Sequence, residues 1–78
     1  MDNAEFDPRE FLLFGLKHFG IKLESEKGNH FYLQDGYEIE IEGPQLFKLI
    51  HQGMVVGPFG GVESLCEFIA QDIQLNHG

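Results

Sequence analysis

The amino-acid sequence predicts one small α+β domain, in which an antiparallel meander of four or five strands is flanked by an N-terminal and a C-terminal helix. Apolar residues recur at helical spacing near both ends of the chain and at a spacing of two residues between them. Glycine-containing turns divide the middle of the chain into short segments. At 78 residues, the chain is too short for two separate cores, so residues 1–78 form one domain.

Residues 6–11 predict the start of the first helix. They supply an aspartate for the N-cap, a proline for the first helical position, a glutamate for the capping box, and two phenylalanines, Phe6 and Phe11, that pack across the cap. The helix should end at residue 18 or 19, where Gly20 in the left-handed conformation closes it. Residues 1–5 are polar and are expected to be disordered.

The middle of the chain predicts short strands joined by turns. Apolar residues alternate from Ile21, a second strand covers residues 30–34, and Asp35-Gly36 is typical of a type I′ hairpin. Residues 37–42 alternate without interruption, with their aromatic and aliphatic side chains facing the core and three glutamates facing water.

Residues 45–51 fit either a short helix or a strand that is apolar on both faces. We expect a strand, because glycine-containing turns bound this segment closely and residues 54–56 follow as a hairpin partner. Residues 57–61 are expected to form a structural loop. The second helix should run from Val62 to about Gln74, with residues 76–78 frayed.

Charge excludes two classes of partner. The chain carries 13 acidic residues against 5 lysines and arginines, a net charge of -8, which repels nucleic acid and anionic membranes. No apolar run could span a bilayer, and the N-terminus does not resemble a signal peptide. The one cysteine, Cys66, lies on the apolar side of the second helix and is expected to be inert. We therefore expect a cytoplasmic protein without a cofactor.

The order of the elements resembles that of the double-stranded RNA-binding domain. Those domains begin their last helix with basic residues, whereas this chain has Glu63 and Glu67 there. The resemblance therefore covers element order alone and does not imply RNA binding.

Residues 43–62 contain no acidic residue and only one lysine, Lys48. Because the last hairpin of a meander lies at the edge of the sheet, one apolar face of it could stay exposed. Our leading hypothesis is a non-catalytic protein–protein interaction module that uses the hairpin of residues 46–59 and the adjoining helix flank, with a homodimer as one form. The alternative is that the first helix covers this hairpin. The predicted contact residues are Phe47, Leu49, Met54, Val55 and Phe59.

Two other sets of residues predict other functions. Glu38, Glu40 and Glu42, joined by Asp35, could bind a basic partner, as in an inhibitor or immunity-type protein; the alternative is a solvated strand face. His30 and His51 could form an enzyme or metal site with these glutamates. No two of the four histidines have metal-ligand spacing on a helix, which favours ordinary surface histidines.

Overall fold

Two helices and five antiparallel strands form two layers in the computed structural model, which describes residues 7–77 and, for His77, the backbone alone. The elements are α1 (Pro8–His18), β1 (Leu23–Lys27), β2 (His30–Leu33), β3 (Tyr37–Gly43), β4 (Leu46–His51), β5 (Met54–Phe59) and α2 (Val62–His77). The strands lie in the order β1-β2-β3-β4-β5. The predicted meander between two helices is therefore confirmed, with five strands.

Helix α1 begins as the sequence predicts. The Asp7 side chain accepts a hydrogen bond from the backbone N–H of Arg9 at 3.1 Å, and Pro8 occupies the first turn. The expected disorder of residues 1–5 and the expected contact of Phe6 with Phe11 involve positions outside the described residues.

The end of α1 explains why the first strand starts later than expected. Gly20 has a φ of 73°, and the N–H of Ile21 donates to the carbonyl of Leu16 at 2.8 Å, as in a Schellman motif. The side chain of Ile21 is buried beside this cap. Ile21 therefore belongs to the helix cap, and β1 begins only at Leu23.

Type I′ turns close the β2–β3 and β4–β5 hairpins. Asp35 has φ 60° and ψ 26°, and Gly36 has φ 80°, which supports the turn type predicted for this pair. Gln52 and Gly53 have φ values of 53° and 83° and join β4 to β5 in the same way. Residues 46–51 are therefore a strand, as expected, rather than a helix.

Strand β5 is longer than expected, because Gly57, Pro58 and Phe59 continue it instead of forming a loop. Proline lacks the N–H that an inner strand needs, but β5 is an edge strand and tolerates it. Val56 is an additional residue in the pairing with β4, which makes a β-bulge.

Both helices pack on the same face of the sheet. They meet closely at Gly15, where an added Cβ atom would lie 2.5 Å from Cγ1 of Val62. No polar side chain is fully buried among the described residues. The core consists of apolar side chains from every element except β1 and β5: Leu12, Leu16, Ile21, Phe31, Leu33, Tyr37, Ile39, Ile41, Phe47, Leu49, Val62, Leu65, Cys66 and Ile69.

Helix α2 continues to His77, three residues beyond the expected end at Gln74. Asn76 is therefore helical rather than frayed, while Gly78 lies outside the described residues. Within residues 7–77, neither helix combines the length and the apolar character needed to cross a membrane.

Candidate interaction surfaces

Exposed apolar side chains lie on β4 and β5 and beside the turn that joins these strands. Met54 and Val55 are 74% and 62% exposed, so two of the predicted contact residues are on the surface. We call Leu46, Met54, Val55, Val56 and Pro58 together the hairpin surface.

The other predicted contact residues lie deeper. Phe47 and Leu49 are completely buried beneath the helices, so they belong to the core and cannot contact a partner. Phe59 is half-buried, with its ring centroid 5.4 Å from that of Phe68 on α2. The hairpin therefore has a buried inner face and an exposed outer face, while Met54, opposite the inward-facing His51, is exposed at the turn end of the inner face.

Leu46 and Val56 belong to the predicted 46–59 hairpin but were not among its predicted contact residues, although one signal in β4 points to Leu46. Residues two apart in a strand face the same way, so Lys48 marks the outer face and assigns Leu46 and Ile50 to it. Phe47 and Leu49 fall on the opposite face by the same rule. Val56 was not predictable, because its orientation depends on the bulge.

An exposed flank of α2 continues the apolar surface on the helical side of β5. Phe68 and Leu75 are seven residues apart and therefore lie on one stripe of the helix. The stripe is on the β5 side, because Phe68 contacts Phe59, whereas Val62 and Cys66 on the other side of α2 face Gly15 of α1. Leu75 is 80% exposed.

The acidic stripe lies on the face of the sheet that no helix covers. Lys48 Nζ lies 3.2 Å from Glu40 Oε1 and 3.4 Å from Glu42 Oε2, and these carboxylates raise the pKa of Lys48, with Glu40 contributing most. Nε2 of His30 lies 2.8 Å from Glu38 Oε1. Lys48 thus neutralises part of the negative charge of Glu40 and Glu42, which leaves less negative potential for a partner.

Asp35, the fourth residue predicted for the acidic face, lies apart from the stripe. It is exposed in the turn between β2 and β3.

The structure does not bring His30 and His51 together. His30 is on the uncovered face, where its ring stacks on Tyr32 with centroids 4.7 Å apart. His51 is on the helix-covered face, stacked on Tyr37 at 3.9 Å with the two rings 5° from parallel. The predicted shared site is therefore not formed. Within residues 7–77, no three histidine, cysteine or acidic side chains are grouped to hold a metal ion.

A cleft of about 490 Å³ opens between the two type I′ turns and the end of α2, and the Tyr37 and His51 rings form part of its wall. Tyr37 donates a hydrogen bond to Asp72, and His51 Nε2 donates to the backbone carbonyl of Asp35 at 3.2 Å. Burial first, and the Asp72 carboxylate second, raise the pKa of Tyr37 to about 12. Tyr37 is thus a neutral donor that fastens α2 to the sheet, which is a structural role.

Cys66 is fully buried on α2, and burial raises the pKa of its thiol to about 11. The thiolate is therefore scarce at neutral pH, as expected for an inert cysteine.

Comparisons with models of known protein families, with curated proteins and with solved structures find no significant match for this chain.

Proposed function

We propose that this chain is a non-catalytic interaction module that forms a homodimer through the hairpin surface. The observation that carries the proposal is an exposed apolar edge within a segment, residues 43–62, that has no acidic residue. Exposed apolar side chains at a sheet edge favour association, because their burial removes apolar area from water.

The charge of the molecule restricts where a second copy could bind. Two chains that each carry a net charge of -8 repel each other, so they can pack closely only where acidic side chains are absent. A twofold interface places the same patch on both chains. The five residues of the hairpin surface are uncharged and can face their own copy, while the acidic stripe of β3 lies beyond β4 on the same face.

Side-chain packing is a better contact mode for this surface than addition of a strand to β5. The bulge at Val56 disturbs the regular spacing of backbone groups along the edge, and Pro58 has no N–H to donate. The outward side chains of β4 and β5 remain available, with Val55 opposite Ile50 and between the exposed Met54 and Val56. We therefore place Val55 at the centre of the contact.

Val55→Glu tests this proposal. In a twofold dimer the change places two like charges in the interface, so we expect sedimentation equilibrium to show a dimer for the wild type and a monomer for the variant. Ser25→Glu is the matched control, because it adds the same charge at an exposed position on the opposite edge strand. A monomeric wild-type protein, or equal weakening by both changes, would contradict the proposal.

Ionic strength separates this function from capture of a basic partner by the acidic face. Added salt should strengthen the homodimer, because it screens repulsion between the two acidic chains. Capture through Glu38, Glu40 and Glu42 should weaken with salt and on replacing all three by Gln.

A cytoplasmic location is also part of the proposal, and is supported by a single cysteine that needs no oxidising compartment.

A further inference from the structure

A second apolar surface lies on the helical layer, where α1 meets the first turns of α2. Phe14 is 67% exposed although the neighbouring Leu12 and Leu16 are fully or almost fully buried. Phe11, Phe14, Phe19 and Val62 contribute to a groove of about 250 Å³. An aromatic side chain as exposed as Phe14 is typical of protein contact surfaces.

The close approach of the two helices shapes the floor of this groove. Gly15 lies at the crossing and has no side chain, so Val62 reaches the α1 backbone. Phe14 stacks on His18 one turn later, with ring centroids 6.3 Å apart, which orients the exposed ring beside the groove. The groove is therefore a recess between aromatic and aliphatic side chains on a rigid helix pair.

Charge at the rim indicates what could occupy the groove. Glu63 lines it, Glu67 follows one helical turn later, and Glu10 lies one turn before Phe14. Lys17 and His18 are the basic residues near its other end, and His18 lines the groove. The rim is thus mainly acidic, on a molecule whose net charge is -8.

We propose that this groove binds a basic amphipathic helix of a partner protein. Such a helix can insert large apolar side chains from one face while lysines or arginines on its flanks meet the acidic rim. The groove lies on the α1 side of α2, whereas the hairpin surface and the Phe68 stripe lie on the β5 side. It therefore goes beyond the proposed homodimer and does not depend on it.

A labelled synthetic peptide tests this inference by fluorescence anisotropy. The probe has leucines on one helical face and lysines on the other, and two control peptides carry either glutamates in place of the lysines or the same residues in scrambled order. We expect the probe to bind, and each control to bind at least roughly tenfold more weakly. Absence of probe binding, or equal binding of either control, overturns the proposal.

Variants of the protein locate the contact. Phe14→Ser should weaken binding of the probe by roughly tenfold or more. Leu75→Ser, which removes an apolar side chain that is 80% exposed on the other flank of α2, should leave binding unchanged. Equal effects of these two changes, or no effect of Phe14→Ser, overturn the inference.

Two further measurements keep this inference apart from the homodimer. Val55→Glu should bind the probe as tightly as the wild type, whatever its oligomeric state. If Phe14→Ser instead dissociates a homodimer in sedimentation, a second copy occupies the groove and the proposed partner is wrong. If replacing Glu38, Glu40 and Glu42 by Gln weakens probe binding as much as Phe14→Ser does, the acidic sheet face holds the peptide and the groove assignment fails.

Discussion

The two edge strands of the sheet differ in how they face solvent. Strand β1 carries charged side chains at three of its five positions, Glu24, Glu26 and Lys27, whereas β5 carries none. Charged edges resist pairing with other chains, because such pairing would bury the charges. The β5 edge has only a bulge and Pro58 against strand addition, and its apolar side chains stay exposed.

The helices reinforce this difference. Arg9 of α1 reaches across to the β1–β2 hairpin, where it pairs with Glu26 and donates to the carbonyl of Gly28 at 3.1 Å. On the other side, α2 presents the apolar Phe68 and Leu75 beside β5. The β1 edge therefore makes its contacts within the chain, while the β5 edge leaves apolar side chains exposed to a second chain.

The largest effect on stability is expected from truncation of a core side chain on the β5 side of the sheet. Phe47→Ala should lower the free energy of unfolding by about 3–5 kcal/mol, because it removes a completely buried ring. Leu46→Ala, one residue earlier on the outer face, should cost less than about 1 kcal/mol. Chemical denaturation of monomeric protein at low concentration measures both. Similar losses for the two variants would show that the outer face is packed within the chain.

Much of the fold could be predicted because local signals agree with the tertiary structure. The residues around Asp7, the Asp35-Gly36 turn and the alternation of residues 37–42 each specify their local geometry without help from distant contacts. The errors in the predicted element bounds occur where contacts between residues far apart in the sequence determine the local structure. Ile21 joins a helix cap, and α2 continues past Gln74 to include Asn76, whose side chain forms a hydrogen bond with Tyr37.

The candidate surface was only partly predictable, for a related reason. Composition located the segment, since an absence of acid in residues 43–62 is visible in the sequence. Composition could not separate Phe47 from Val55, because both are apolar and only the sheet register determines which one faces the helices. The groove beside Phe14 was missed because it requires the crossing of α1 and α2 at Gly15.

A smaller effect is expected at the contact that fastens α2 to the sheet. Tyr37→Phe keeps the ring stacked on His51 and removes the hydrogen bond to Asp72, so it should cost about 1 kcal/mol at neutral pH. The folded-state pKa of Tyr37 is raised to about 12, above its ordinary value of 10.0, so the stabilisation is complete below pH 10. It should be lost as the pH rises from 10 to 12.

Denaturation of wild type and Tyr37→Phe across this range measures the effect, because the difference between them removes the titration of other groups. We expect the difference in unfolding free energy to shrink toward zero above pH 10. A constant difference across that range would mean that the hydroxyl is not held neutral by the fold.

The smallest effect is expected at the β1 edge, where the contacts are exposed. Arg9→Ala removes the ion pair with Glu26 and the hydrogen bond to the carbonyl of Gly28. It also removes the guanidinium group, which lies 5.6 Å from the Phe31 ring centroid. The variant should lower the free energy of unfolding by about 1 kcal/mol or less. Lys27→Ala is the control. It removes an exposed cation of β1 and should have no measurable effect. Hydrogen exchange should become faster in β1 and β2 of the Arg9 variant and remain unchanged in β5, because Arg9 acts only on the edge it covers. Faster exchange in β5 as well would show that the two edges are coupled through the core.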